Sequence, residues 1–224
     1  MERLSVEKRF SDIDYNVAVI KERIAQAAIK SGRGDNDVHL MAVTKTVEPI
    51  FINRAISNGI DLIGENKVQE LLSKTEFLNT EALEMHIIGH LQSNKVRKII
   101  NTVSMIQSVD SISLIEEISR QAVKNNRIME ILLEVNIDGE ESKTGLAKDM
   151  LNETAAFATE APGIALRGIM SIPPVCEDEK TARRFFEKTR LLYEDVKCQF
   201  GHKARIDILS MGMSSDFEAA VQEG

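Results

Sequence analysis

Lys45 is the residue best suited to covalent chemistry in this sequence, because it ends an apolar run that starts at Val38. A primary amine at the end of a buried strand can form a Schiff base with an aldehyde, and desolvation favours its neutral, nucleophilic form. A strand-end lysine that only reaches water is the weaker interpretation, because the apolar run places the stem of the side chain in the core. The run therefore predicts a reactive amine at residue 45.

Residues 209–218 have the composition of an anion-binding segment. Gly212 permits a close backbone approach, Ser214 and Ser215 add hydroxyl groups, and Ser215 and Glu218 have the spacing of a helix capping box. Backbone N–H groups at such a helix start can hold a phosphate, although an ordinary strand-to-helix turn explains the same residues about equally well. An amine opposite a phosphate site suits a phosphorylated aldehyde.

Polar residues also close the other apolar runs, and in an α/β barrel the carboxyl ends of all strands meet at one mouth. Taken singly, each has an alternative: Asn66 and Asn136 as caps or turn formers, and His90 as a hydrogen-bonded loop histidine. The strand-end residues are Lys45, Asn66, His90, Ser108, Asn136, Ser171 and Ser210.

The elements that must position these residues alternate regularly. An amphipathic helix is predicted from about residue 5 to 30, and the continuous apolar run 38–46 indicates a strand buried on both faces of a parallel sheet. Further apolar runs alternate with helical patterns, one of which is predicted to begin with a capping box at Ser113 and Glu116. The short, even spacing favours a TIM-like (β/α)8 barrel over an open doubly wound sheet. The pattern ends at a seventh strand and its helix, and an eighth strand is missing from the sequence.

The composition narrows the function classes. A net charge of −7 provides no basic field for nucleic acid or an anionic membrane, so a phosphate-bearing ligand must be held by a local site. No run approaches the roughly 20 apolar residues of a membrane span, and the first residues do not resemble a signal peptide, which predicts a cytoplasmic protein. Cys176 and Cys198 lack the spacing of a disulfide framework or a metal site, so we expect free thiols and no metal.

Six motifs together resemble the pyridoxal phosphate (PLP) homeostasis protein family, whose members are small relatives of the alanine racemase N-terminal barrel. The resemblance extends from about the first helix to Gly224, in the order and spacing of the family. The motifs are residues 42–46, 64–70, 86–95, 108–111, 135–145 and 209–216.

This resemblance implies a fold-type III PLP-binding barrel that forms a single domain over residues 1–224. It implies that Lys45 carries the cofactor as an internal aldimine and that Asn66 lies beside the ring. The other implied site residues are Ser210, Gly212 and Ser214 at the phosphate, and His90, Ser108 and Met170 around the pocket. Beyond Gly224 the family continues with an eighth strand, whose Arg-x-Gly-Thr segment completes the phosphate site and places an arginine near the ring nitrogen. Without that strand the barrel has an open edge between strands seven and one.

The resemblance favours a carrier that stores and delivers PLP, and so maintains PLP and amino-acid homeostasis, over an efficient enzyme. An arginine beside the ring nitrogen disfavours the protonated cofactor that most PLP chemistry uses. Racemisation also needs a base on each face of the substrate, and the racemases take the second from a separate β domain for which this chain has no room. Its two tyrosines, Tyr15 and Tyr193, fall in outer helices.

Several alternatives stay open on the sequence alone. A PLP-dependent amino-acid racemase is the main one; a Schiff-base aldolase is less favoured, because Glu65 and Asp110 are equally well explained as caps. A protein-interaction module using the basic helix 95–98 is the third, although such charge runs usually form a solvated face. The expected partners are PLP and PLP-dependent apoenzymes, and the expected state is a monomer or weak homodimer.

Overall fold

The structure is a computed structural model that describes residues 2–34, 37–139, 144–174 and 178–224. A long helix, α1 (Glu2–Lys30), precedes seven strands, each followed by a helix. The strands are β1 (Ala42–Val43), β2 (Leu62–Glu65), β3 (Glu84–Ile87), β4 (Met105–Val109), β5 (Met129–Glu134), β6 (Ile164–Met170) and β7 (Ile208–Ser210). The helices after them are α2 (Pro49–Ser57), α3 (Val68–Thr75), α4 (Ser93–Ile99), α5 (Ile112–Lys124), α6 (Leu151–Glu160), α7 (Glu179–Phe200) and α8 (Phe217–Glu223).

The seven strands form one sheet whose order is the order of the chain, and every pair is parallel. A parallel sheet with a helix after each strand is the topology of a β/α barrel, so the predicted alternation is confirmed. The curled sheet is open between β1 and β7, which are not paired with each other in the part of the chain that the structure describes. All the strand carboxyl ends therefore lie at one rim.

Side chains on the two faces of the sheet enter different layers. Outward-facing residues such as Ile63 and Ile131 join the main core between the sheet and its helices. Inward-facing Met105, Leu132 and Met170 form a smaller apolar cluster inside the barrel. The middle of the barrel is thus filled by side chains, and these three form its apolar part.

Helix α1 connects the two sides of the opening. Phe10 packs edge-on against Phe51 of α2, with ring centroids 5.9 Å apart, and Arg23 donates to Glu218 of α8 at 2.6 Å. Ala28 is fully buried in a small cluster with Val221 of α8. The predicted amphipathic helix is confirmed, and it packs on the helices that flank the open edge.

The predicted strand over residues 38–46, buried on both faces, is wrong. The observed strand is Ala42–Val43, and the Val43 side chain is 47% exposed. The two faces differ, because Ala42 packs against the outer core whereas Val43 lies on the inner face, which the helices do not cover.

Helix α5 begins two residues earlier than the proposed capping box requires. Ser111, in an extended conformation, is the N-cap, and its hydroxyl oxygen accepts from the backbone N–H of Leu114. The predicted cap at Ser113 and Glu116 is wrong, because two serines compete here and only the first lies outside the helix.

Three observations bear on the expected protein class. None of the described helices has the length and apolar character needed to cross a membrane. Cys198 lies exposed on α7, whereas Cys176 falls outside the described residues. Among the described residues, no group of three or more histidine, cysteine, aspartate or glutamate side chains is arranged to hold a metal ion.

Candidate functional site at the barrel mouth

Lys45 lies at the carboxyl end of β1, and the alternation of the strand places it on the inner side. Ala42 packs against the outer core, and the next outward residue, Thr44, donates its hydroxyl to Glu65 in the helix layer at 2.8 Å. Residue 45 therefore faces inward, toward the barrel mouth. Its side chain is exposed, so the expected desolvation of the amine is not observed, and no described residue hydrogen-bonds or ion-pairs with it.

Asn66 lies one residue beyond β2, at the same rim. Its side-chain Oδ1 is buried and has no hydrogen-bond partner among the described residues. The next strand end approaches it closely, because a Cβ at Gly89 would lie 2.6 Å from the carbonyl oxygen of Asn66. The fully buried Ser108 donates its hydroxyl to the Gly89 carbonyl at 2.7 Å and ties the end of β4 to this contact.

His90 and Glu134 also lie at the rim. The exposed ring of His90 has its Nδ1 3.1 Å from Oδ2 of Asp110. Glu134, at the inward-facing end of β5, is 4% exposed; its Oε1 accepts from the Thr144 hydroxyl at 2.6 Å, while its Oε2 is buried without a partner in the described chain. Burial raises the pKa of Glu134, the Thr144 hydrogen bond lowers it, Asp110 raises it and His90 lowers it, with a net increase.

A chain of hydrogen bonds crosses the barrel interior and ends at Ser210. The Gln107 amide lies 2.8 Å from Nδ1 of His86, and the Ser210 hydroxyl donates to Oε1 of Gln107 at 2.7 Å. Burial lowers the pKa of His86, and nearby Glu84 only partly opposes this effect. A neutral His86 can accept from Gln107, so the Ser210 hydroxyl hydrogen is engaged and its oxygen stays available as an acceptor.

The loop after β7 turns at a glycine that packs closely against helix α8. Gly212 has a φ of 87°, and a Cβ there would lie 2.7 Å from the Cβ of Ala220. The backbone N–H of Met213 donates to Oδ1 of Asp216 at 2.6 Å, and Ser214 is exposed. The loop brings Gly212 and the exposed Ser214 to the rim, and its role in binding an anion stays a prediction.

The helix after this loop does not begin as predicted. Helix α8 starts at Phe217, and Glu218 forms an ion pair with Arg23 of α1 instead of a capping box with Ser215. The long-range ion pair prevails because α1 packs beside α8, a contact that local spacing does not reveal.

The structure brings the predicted site residues to one region, at or next to the carboxyl ends of the strands. These residues are Lys45, Asn66, His90, Ser108, Met170, Ser210, Gly212 and Ser214. Met170 is 3% exposed in the inner apolar cluster beneath the rim. The individual roles of these residues in binding stay predictions.

Sequence reasoning missed three polar residues of the interior: His86, Gln107 and Glu134. Each lies within an apolar strand, where a polar side chain must find a partner or a function. The signal was present, because Gln107 and Glu134 interrupt otherwise apolar runs.

Comparisons with known proteins identify the family. Residues 12–223 match the family model of the alanine racemase N-terminal domain. The pyridoxal phosphate homeostasis protein of Aquifex aeolicus (strain VF5) is 40% identical over 205 residues, which are 92% of this chain and 89% of that protein. The chain belongs to the pyridoxal phosphate homeostasis protein family.

Solved structures agree with this assignment. The structure of PipY of Synechococcus elongatus PCC7942 with PLP bound superposes with a TM-score of 0.79 at 32% identity, covering 92% of this chain and 94% of PipY. Alanine racemase of Streptomyces coelicolor A3(2) superposes with a TM-score of 0.69 at 14% identity, covering 91% of this chain and 52% of the racemase. The second likeness shows the fold alone, and it confirms the predicted barrel type.

Proposed function

We propose that this protein binds PLP through Lys45 and acts as a PLP carrier that maintains the cellular supply of the cofactor. The observation that carries the proposal is the position of the Lys45 amine, which has no partner among the described residues, at the same barrel rim as the Gly212 loop after β7. A homologue of the same fold, PipY, has PLP bound, and the curated relatives are named for PLP homeostasis.

The rim residues fit this cofactor. PLP supplies an aldehyde that condenses reversibly with a primary amine, which is the group that Lys45 presents. Asn66 has a buried, unpaired oxygen that can meet a polar group of the ring, and the Gly212 loop has backbone and hydroxyl groups for the phosphate. We assign the ring to Asn66, His90, Ser108 and Met170, and the phosphate to Ser210, Gly212 and Ser214.

The proposal favours a carrier over a racemase, because the two tyrosines lie away from the rim. Tyr15 is 69% exposed on α1, and the Tyr193 hydroxyl on α7 lies 3.4 Å from the Ile206 carbonyl oxygen. Neither can act as the second base of a racemisation. We further propose that the whole chain is one PLP-binding domain, cytoplasmic and monomeric or weakly dimeric, that delivers PLP to apoenzymes.

Titration with PLP tests the binding proposal. The absorbance band of an imine should appear with the unmodified protein and disappear in Lys45→Arg, which keeps the charge but cannot form the bond at neutral pH. Lys124→Arg, at an exposed position on the outer helix α5, is the control and should titrate as the unmodified protein does. An unchanged band in Lys45→Arg would refute the assignment of the lysine.

Turnover measurements separate the carrier from the racemase. The PLP-loaded protein should racemise a panel of D- and L-amino acids no faster than an equal concentration of free PLP. Turnover well above free PLP, lost in Lys45→Arg, would establish the racemase instead.

A further inference from the structure

A buried ion cluster lies directly outside the strand end that carries Lys45. It consists of Glu65 at the end of β2 together with Glu70 and Lys74 of α3, and we call these three residues the β1 clamp. The Lys74 ammonium group donates to Oε1 of Glu65 at 2.8 Å and to Oε1 of Glu70 at 2.6 Å. Its third donated hydrogen bond, at 2.8 Å, goes to the backbone carbonyl of Thr44.

The clamp holds the chain on both sides of Lys45. Before it, the Thr44 hydroxyl donates to Oε1 of Glu65 at 2.8 Å. After it, the backbone N–H of Thr46 donates to Oε1 of Glu70 at 2.5 Å. Lys45 itself makes none of these contacts, so the cluster fixes the backbone around the amine and leaves the amine free.

Thr46 has a backbone conformation that needs such support. Its φ is 62°, in the left-handed region that a β-branched residue strongly disfavours. Unfavourable conformations of this kind persist where surrounding contacts impose them, and they concentrate at functional sites. Here the contact from Glu70 imposes the turn on the residue that follows Lys45.

Apolar side chains could attach this strand to the helix at a lower cost in desolvation. The Glu65 side chain is fully buried and the Lys74 side chain is 10% exposed, and buried ion pairs are often no more stabilising than apolar packing. Hydrogen bonding to Lys74 lowers the pKa of Glu70, which keeps this acceptor ionised for the Thr46 amide. Unlike apolar contacts, the hydrogen bonds of the cluster also fix the direction of the backbone on either side of Lys45.

The shortness of β1 explains why that direction needs fixing. The strand is two residues long, and within the described residues it pairs only with β2. A ladder of two paired positions constrains the strand end weakly, and the contacts from Glu70 and Lys74 supply the constraint that the ladder lacks.

We propose that Glu65, Glu70 and Lys74 are positioning residues that direct the Lys45 amine into the barrel mouth. This inference rests on the proposed role of Lys45 in PLP binding. Small misplacements of a reacting group can reduce a rate by up to about a hundredfold, so the clamp should act on the rate of bond formation more than on recognition of the ring and phosphate.

The test compares two ligands in Glu70→Ala and Lys74→Met. The rate at which PLP becomes attached to Lys45 is followed by borohydride quenching and peptide mass mapping. Affinity for pyridoxine 5′-phosphate, which keeps the ring and phosphate but has no aldehyde, is measured separately. Attachment should slow by between roughly tenfold and a hundredfold, while affinity for pyridoxine 5′-phosphate changes less than about twofold.

Two further variants control for charge removal and for loss of stability. Glu70→Gln keeps an oxygen that can accept from Thr46 and should recover most of the attachment rate. Glu117→Ala removes a similarly buried glutamate, 19% exposed against 22% for Glu70, from another helix ion pair, with Arg120 of α5. It should leave both the rate and the affinity unchanged.

Attachment at the normal rate in folded Glu70→Ala would overturn the proposal. A parallel loss of attachment and pyridoxine 5′-phosphate affinity would also overturn it, because that pattern means general damage to the site. Should Lys74→Met fail to fold, the partly exposed Glu70 variants still decide the question.

Hydrogen exchange separates this proposal from the proposed function. The Thr46 amide should exchange faster in Glu70→Ala than in the unmodified protein, whether or not PLP is present. Absence of any PLP on Lys45 in the unmodified protein would refute the proposed function. Unchanged exchange at Thr46 would refute the clamp.

Discussion

The two ends of the barrel sheet differ in how completely their buried polar groups are paired. Near the amino ends, the Arg167 guanidinium of β6 donates to Asp207 at 2.8 Å and forms an ion pair with Glu130 of β5. Hydrogen bonding to Asp207 raises the pKa of Arg167. At the carboxyl ends, Oδ1 of Asn66 and Oε2 of Glu134 are buried without a partner in the described chain.

The difference is the one expected if the amino ends stabilise the fold and the carboxyl ends bind the cofactor as proposed. An unpaired buried polar group costs about 1–3 kcal/mol, so a fold tolerates it where a ligand can use it. In β/α barrels the amino-terminal face serves stability and the carboxyl-terminal face carries the site. Substitutions at the two ends should therefore separate the free energy of unfolding from the affinity for PLP.

The largest expected effect is at the amino end. Arg167→Leu leaves Glu130 and Asp207 without their shared cation, and we expect a loss of about 2–3 kcal/mol in the free energy of unfolding. The loss is below that of a fully buried pair because both carboxylates are about a third exposed. Urea unfolding measures it, and PLP affinity of the folded fraction should not change. If Arg167→Leu lowers the affinity for PLP and leaves the free energy of unfolding unchanged, the roles given to the two ends of the sheet are wrong.

Gly212→Ala should affect both properties, because it changes the backbone of the binding loop. A Cβ at a φ of 87° and 2.7 Å from the Cβ of Ala220 should cost about 1–3 kcal/mol of stability and weaken phosphate binding. Gly32→Ala is the matched control, with a φ of 76° and no atom within 4 Å of the added Cβ. If the two variants bind inorganic phosphate with equal affinity, Gly212 is not part of the phosphate site.

Asn66→Ala should leave stability nearly unchanged, because Oδ1 of Asn66 has no partner among the described residues whose bond could be lost. PLP affinity should fall by the value of one hydrogen bond, about 0.5–1.5 kcal/mol. The contrast is Asn53→Ala, which removes bonds to the Phe77 carbonyl and the Asn79 amide and should lower stability without changing affinity. If Asn66→Ala lowers stability and Asn53→Ala lowers PLP affinity, the binding role given to the rim is wrong.

The smallest expected effect is a dependence of stability on pH at Glu134. Its pKa in the folded protein is raised above 4.5 by burial, so the folded state holds the proton more tightly than the unfolded chain. Stability should therefore fall as the pH rises from about 4.5 through the raised pKa, and stay lower above it. Glu134→Gln should remove this part of the pH profile, which thermal unfolding across pH measures. An identical profile in both proteins would refute the assignment.

The alternation of elements, the parallel sheet and the candidate lysine could be predicted because they depend on local patterns. Continuous apolar runs separated by helical periods specify parallel strands and crossover helices, whatever their partners. The position of Lys45 at a strand end follows from the same pattern.

Features that depend on distant neighbours could not be predicted. The exposure of Val43 depends on what lies across the inner face of β1, and Glu218 pairs with Arg23 because α1 packs beside α8. The bond from Ser210 to Gln107 joins residues 103 positions apart in the sequence. The contact of Lys74 with the Thr44 carbonyl is of the same kind, because it joins residues 30 positions apart.

The most direct test of the central claim is to incubate the protein with PLP, reduce it with borohydride and map the modified residue by mass spectrometry. We predict one pyridoxyl group per chain, on Lys45, and none on this peptide when borohydride is omitted. Modification of another lysine at equal or greater yield, or no modification of Lys45, would contradict binding through this residue.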